Sequence, residues 1–187
     1  DYFIMIENET SWSTFKGGLG ETIDVAAEDE LRAVDDAADT YVGGVEDFLY
    51  EAIFKKDETV VVPRDIIYKP ELQVYIEEFG QRKDDYCFVA ECEGKVVGAV
   101  WVRNIKGYGC IDDVTPEFAI SLYPEYRGFG IGTALMERML SHLKETGYQK
   151  TSLAVQKANY ALRMYLKVGF EIIDENEEEY IMVCELG

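Results

Sequence analysis

The stretch Tyr126-Arg127-Gly128-Phe129-Gly130-Ile131-Gly132-Thr133 constrains this fold more than any other, because it alternates glycine with other residues between an apolar run and an amphipathic one. The run before it, Phe118-Ala119-Ile120-Ser121-Leu122-Tyr123, has strand character and is closed by Pro124. The run after it places Leu135, Met136, Met139, Leu140 and Leu143 at helical spacing. A strand that empties through a glycine turn into a helix is a place to hold phosphates. Glycine reaches positive φ and lets the backbone approach an anion closely, and the first helical turn offers unpaired N–H groups at the positive end of the dipole.

Three patterns compete for the turn. A dinucleotide fold wants G-x-G-x-x-G, but counted from Gly128 the third glycine falls one residue early and Thr133 stands where it is required. A Walker-type loop needs a closing Gly-Lys-Ser/Thr, which is missing. The third pattern is Arg/Gln-x-x-Gly-x-Gly/Ala after a Pro-acid-aromatic triplet, and Pro124-Glu125-Tyr126-Arg127-Gly128-Phe129-Gly130-Ile131-Gly132 resembles it at every defining position. It is the acyl-coenzyme A loop of the GCN5-related N-acetyltransferases. A ligand-free glycine corner is the alternative for the turn taken alone. A second segment argues against it: Asn159-Tyr160-Ala161-Leu162-Arg163-Met164-Tyr165-Leu166-Lys167-Val168-Gly169-Phe170 resembles the other signature of that family, an Asn, a short helix ending in Leu/Met-Tyr, then Gly-Phe. The resemblance covers about residues 45–187.

It implies an α/β (α+β) acyltransferase fold: a mixed, mostly antiparallel sheet with helices on both faces and a splayed central strand pair, here about 116–123 and 151–156. The implied co-substrate is acetyl-CoA, with no metal. Its arm would pair with Ile120, Ser121 and Leu122, the Leu122 N–H polarising the thioester carbonyl. Its pyrophosphate would rest on Arg127, Gly128, Phe129, Gly130, Ile131, Gly132 and Thr133, and Asn159 would contact the arm. Tyr165 matches the family's general acid, since a phenol near pKa 10 stays protonated and can deliver a proton to a departing thiolate. Glu117 is the candidate base, with Asp112 and Asp113 as runners-up. The reaction implied is acetyl transfer to a primary amine of a small molecule or peptide by direct attack in a ternary complex. A non-catalytic acyl-CoA-binding or interaction module is the competing class.

Charge narrows the partners. There are 37 Asp and Glu against 18 Lys and Arg, a formal charge of −19. That field repels nucleic acid and anionic membranes and attracts amines or basic peptides, although it mainly secures solubility. Coenzyme A is itself polyanionic, so its site must be locally favourable, through backbone N–H groups, Arg127 and nearby lysines such as Lys157 and Lys167. No apolar run approaches the roughly 18 residues that cross a bilayer, and no basic-then-apolar signal opens the chain; a cytoplasmic location is expected. A homodimer is left open. Cys87, Cys92, Cys110 and Cys184 show no C-x-x-C spacing and read as small buried hydrophobes, with Cys87 and Cys92 on opposite faces of one strand. His142, the one histidine, reads as a solvated helix residue.

Residues 1–44 form an acidic segment expected to pack on the domain at 45–187, with a short strand at 2–6 and an acidic helix over 24–42. Val45, Phe48, Leu49, Ala52 and Ile53 predict a core-packed helix over 45–55. Pro70 opens a second helix running over 71–79 to Gly80. The connector between them shapes the acceptor pocket in the resembled family, with Tyr68 and Tyr75 as liners. A hairpin around 93–95 follows, then a Gly107-Tyr108-Gly109 loop, and after the second signature two last strands at 170–173 and 180–185.

Overall fold

The structure, a computed structural model, describes residues 3–5, 15–16, 22–23, 25–27, 45–57, 59–92 and 95–187. β1 (Phe3–Met5) and β4 (Val25–Ala27) both pair antiparallel with β5 (Tyr86–Cys92), while β2 (Phe15–Lys16) and β3 (Thr22–Ile23) pair with each other. β6 (Lys95–Arg103), β7 (Glu117–Leu122), β8 (Lys150–Gln156), β9 (Glu171–Glu175) and β10 (Glu179–Glu185) complete the main sheet. Its order is β1-β5-β6-β7-β8-β10-β9. Every pairing is antiparallel except β7 with β8. The 25–27 strand replaces the start of the acidic helix expected over 24–42; the rest of that helix lies outside the described residues.

Helices cover both faces of this sheet. α1 (Val45–Ala52), a 3-10 turn (Arg64–Tyr68) and α2 (Pro70–Gln73) lie on one side, and α3 (Ile131–Glu145) and α4 (Leu162–Val168) on the other. Alternation along β5 sends Cys87 and Val89 to the α1 side and Phe88, Ala90 and Cys92 to the α3 side. Along β6 the phase slips once. Ala90 faces Gly98 but Glu91 faces Val96, so Val97 is an extra residue and Val96 and Ala99 share the α1 face. On the α3 side Leu135, Met136, Met139 and Leu143 are each 0% exposed, and burying a side chain of that size contributes about 1.5–3 kcal/mol.

Three expectations are corrected here. The helix over 71–79 stops at Gln73, because the carbonyls beyond it are drawn sideways into the core. The Arg103 guanidinium donates to the carbonyls of Val74 (3.1 Å) and Glu77 (2.8 Å), and the Trp101 indole N–H to that of Tyr75 (3.2 Å). Arg103 is 1% exposed and is anchored in turn by a two-point ion pair with Asp85, at 2.9 and 3.0 Å. His142 is half-buried and not a freely solvated helix residue: its ring packs edge-on against Tyr86 at 4.6 Å and Phe88 at 5.4 Å. Cys110 is only half-buried, whereas Cys87, Cys92 and Cys184 are buried as expected, and all four are free.

The feature that positions the site is the join between β7 and β8. It holds at one point only, Glu117 opposite Ser152, where the Ser152 N–H and hydroxyl-bearing Thr151 both donate to the Pro116 carbonyl, at 3.1 and 2.8 Å. Beyond that point no ladder continues, and the strands part towards the glycine turn.

Candidate active site

Backbone direction along β7 follows from two bonds. The Tyr123 N–H donates to Val97 of β6 at 3.0 Å, and Pro116 accepts from β8, so alternation turns the peptide groups of Phe118, Ile120 and Leu122 towards the opening. The same alternation turns Ala154 of β8 towards it from the other side. The opening continues into a cavity of about 890 Å³, lined on one wall by Ile120, Ser121, Leu122, Gly128, Gly130, Gly132 and Thr133, on another by Asn159, Met164 and Tyr165, and closed by residues 51–57.

The glycines have separate reasons. Gly128 and Gly130 sit at φ 81° and 86°, the left-handed region that other residues avoid, and Gly130 is the N-cap of α3. Gly132 is there for space: a Cβ would stand 3.1 Å from the Met164 sulfur and 3.3 Å from a Leu122 methyl. The first bond of α3 runs from the Ala134 N–H to the Gly130 carbonyl at 3.1 Å, which leaves the N–H groups of Ile131, Gly132 and Thr133 without an intrahelical acceptor. Phe129 packs against the α3-side core from within the turn.

Arg127 lies in the same lining, but its guanidinium has protein partners. It donates to the Leu122 carbonyl at 3.0 Å and pairs with Glu51 at 3.3 Å, tying the end of β7 to α1. Ser121 points to the α1 side and donates to the Phe48 carbonyl at 2.7 Å. Asn159 accepts the Ala161 N–H on its side-chain oxygen at 2.9 Å, an Asx turn that starts α4. α4 then presents Tyr165 to the cavity, edge-on to Phe170 with centroids 6.0 Å apart, and ends at Gly169 (φ 109°). Burial pushes the Tyr165 phenol above its ordinary value, with a smaller contribution from Tyr160, so it is protonated at neutral pH.

Glu117 occupies the opposite, α1 side of the sheet, at the closed end of the opening, and is 2% exposed. Its carboxylate accepts three bonds: from the Gly107 N–H at 2.7 Å, the Tyr75 hydroxyl at 2.9 Å and the Gly109 N–H at 3.0 Å. The Tyr75 hydroxyl accepts the Tyr108 N–H in turn, at 2.9 Å. A Cβ on Gly107 would stand 2.4 Å from that hydroxyl, and one on Gly109 2.7 Å from the Leu153 backbone, so only glycine lets the loop wrap this closely. Desolvation raises the Glu117 pKa against the lowering effect of its three donors. Asp112 is a poor base by comparison. It accepts the Val114 and Thr115 N–H groups and pairs with Lys150 at 3.0 Å, which together hold its carboxyl well below the usual range. Asp113 is largely exposed, 3.7 Å from Lys106.

The network around Glu117 and the lysines of the cavity lie outside what the sequence pattern predicts. Lys157 is taken by Glu175 and the Tyr180 ring, at 2.5 and 5.1 Å, and does not line the cavity; Lys55 and Lys56 do. An adjacent Lys-Lys pair in so acidic a chain was the available signal. Among the described residues no three His, Cys, Asp or Glu side chains gather as a metal site, and no helix is long and apolar enough to cross a membrane.

A mixed sheet opened at one parallel join, helices on both faces, and a helix that starts behind two positive-φ glycines define an α+β protein with a slot between its central strands. The model of the acetyltransferase (GNAT) family matches residues 50–170, and the chain belongs to that family. An uncharacterized N-acetyltransferase of Methanocaldococcus jannaschii is 34% identical over 103 residues, 52% of this chain and 44% of that protein. The ribosomal protein bS18-alanine N-acetyltransferase of Haemophilus influenzae is 36% identical over 81 residues, 42% of this chain and 56% of that protein. The chain thus spans about half the length of these relatives. In fold it is similar to the GNAT domain of S. lividans PAT, with TM-score 0.60 at 15% identity over 93% of this chain and 96% of that one. It is similar too to the ribosomal-protein-S18-alanine N-acetyltransferase from Escherichia coli, with TM-score 0.52 at 16% identity over 74% and 86%.

Proposed function

We propose that the protein is an acetyl-CoA-dependent N-acetyltransferase acting on a primary amine of a small molecule or peptide, by direct attack in a ternary complex. The observation that carries the reading is that one cavity is lined by Ile120 and Leu122 of the parted strand, by the start of the helix behind the glycine turn, and by Tyr165. The donor set suits an acyl-CoA: strand edges for the amides of the arm, and N–H groups at a helix start for the pyrophosphate. Relatives named as N-acetyltransferases support the reaction type, and their names put protein N-terminal amines among the acceptors to test.

The chain's own groups then divide the work. Glu117 takes the proton that frees the amine lone pair, by way of the Tyr75 hydroxyl that already donates to it; burial makes this carboxylate more basic than an exposed one. As the nitrogen bonds to the carbonyl carbon, the Leu122 N–H offsets charge on the carbonyl oxygen. When the carbon–sulfur bond breaks, Tyr165 gives its proton to the departing sulfur, and the positively charged nitrogen formed by the attack sheds its surplus proton as the amide forms, restoring the phenol directly or through water.

The test is turnover. Purified protein is given acetyl-CoA with a panel of amines and N-terminal peptides, following free thiol and the mass of the acceptor. Thiol release matched one-to-one by an acetylated amine is expected. Saturable binding of acetyl-CoA without amine-dependent release across the panel would favour a non-catalytic binding module instead.

A further inference from the structure

A cavity that holds phosphates on a chain of charge −19 needs local cations, and the glycine turn supplies only N–H groups. Arg127 is charge-compensated by Glu51 at 3.3 Å and held by the Leu122 carbonyl. Among the described residues the remaining cations of the lining come from the other wall, the segment that leaves α1: Lys55 and Lys56. We propose that Lys55 and Lys56 form a phosphate clamp facing the glycine turn, holding the phosphate groups of the acyl-CoA from the side opposite the helix N-terminus. This rests on the acyl-CoA reading above.

Several observations carry the assignment. Among the described residues the lining has three cations, Lys55, Lys56 and Arg127, against two carboxylates, Glu51 and Asp57, so its local charge opposes that of the whole chain. Glu51 is matched to Arg127, and Asp57 is folded back to accept the Thr59 N–H at 2.9 Å. Lys55 is half-buried and placed rather than adrift. Its ammonium lies 4.6 Å over the Tyr50 ring, and that ring is itself fixed by a 2.6 Å bond from the Tyr50 hydroxyl to the Val62 carbonyl. Lys56 is exposed beside it on a flexible stem that can reach into the cavity. Residues 51–57 and the turn at 128–133 thus line one slot, with the N–H donors of the helix start on one side and Lys55 and Lys56 on the other.

The test is direct binding by calorimetry, comparing wild type with Lys55→Ala/Lys56→Ala for coenzyme A, 3′-dephospho-coenzyme A and pantetheine. The wild type binding coenzyme A supports the acyl-CoA reading; failure to bind it would end both claims. In the double variant the affinity for coenzyme A is expected to fall about tenfold at 0.1 M salt, with a smaller loss at 0.5 M, as screening of exposed charges requires. Pantetheine affinity should stay within about twofold of wild type, the margin that the Coulomb argument allows for a ligand without phosphate. An equal loss for the dephospho form assigns the clamp to the pyrophosphate, and its absence there assigns it to the 3′-phosphate. A coenzyme A loss below about twofold, or an equal loss for pantetheine, would overturn the clamp while leaving the acyl-CoA reading intact. Because Lys55 packs on Tyr50, Lys56→Ala alone and Lys55→Arg are the controls. The first should lose part of the coenzyme A affinity at an unchanged melting temperature, and the second should keep it.

Discussion

Glu117→Gln probes the network that closes the far end of the opening. The wild-type carboxylate satisfies three donors, at 2.7, 2.9 and 3.0 Å, two of them on one oxygen. The amide that replaces it keeps an oxygen for Tyr75 and Gly109 but turns an NH₂ towards the Gly107 N–H. One buried donor is left facing another, a loss of about 1–3 kcal/mol. Against this, the variant no longer holds a desolvated charge, and each pKa unit by which burial raised that carboxyl returns about 1.4 kcal/mol. The unpaired donor therefore bounds the loss at about 1–3 kcal/mol, and each kcal/mol of it lowers Tm by roughly 2–4 °C for a chain of this size. Tyr75→Phe cuts the same network from the other side, so the two changes in one chain should fall short of additivity by about 0.5 kcal/mol or more in urea unfolding. The functional signature is a pH profile. Glu117 must be ionised to accept a proton, so wild-type kcat/KM should rise with pH through its raised pKa, and that acid limb should be missing in Glu117→Gln. Strict additivity together with an unchanged acid limb would refute both the network and the base.

Other perturbations separate chemistry from architecture. Tyr165→Phe should lower kcat by about 10²–10⁴ with little change in the affinity for acetyl-CoA, measured by steady-state kinetics and calorimetry, because the step lost is proton delivery. Arg103→Met should cost about 3–5 kcal/mol in urea unfolding, since it strands Asp85, 0% exposed, without its partner; hydrogen exchange should loosen first over 74–85. Asp112→Asn should act mainly on the pH dependence of stability. Its folded pKa lies below the unfolded value, so its contribution is present above about pH 4 and lost as pH falls through the folded pKa, and the variant's melts should be flatter across that acid range.

Local pattern was enough for some of this architecture. The apolar stripe Leu135, Met136, Met139, Leu143 marks α3, and the Gly128 and Gly130 conformations are those that a phosphate turn asks for. The face assignment of Cys87 and Cys92 also followed from spacing, because the extra residue of the hairpin falls on β6 and leaves the alternation of β5 intact. What stayed hidden was non-local. Arg103 looks like an ordinary charge at the end of a strand, yet it shortens the second helix by taking carbonyls about 25 to 29 residues away. Gly107 and Gly109 read as loop residues, and their need for closeness depends on Tyr75 and on β8, which no local pattern brings near. Lys157, expected with Lys167 among the cations near the phosphates, has β10 beside it and Tyr180 under its ammonium, while Lys55 and Lys56 line the cavity from the end of the expected first helix and the start of the connector.

The central claim is that the opening between β7 and β8 is where the acyl-CoA arm lies, with the glycine turn on its phosphates. Titrating ¹⁵N-labelled protein with coenzyme A and mapping the amide shifts tests it most directly. The account predicts the largest saturable shifts at the amides of Ile120, Leu122, Gly128, Gly130, Gly132 and Thr133, with Trp101 and Arg103, on the neighbouring strand, nearly still. Saturation accompanied by shifts elsewhere, with the Ile120 and Leu122 amides unmoved, would contradict it.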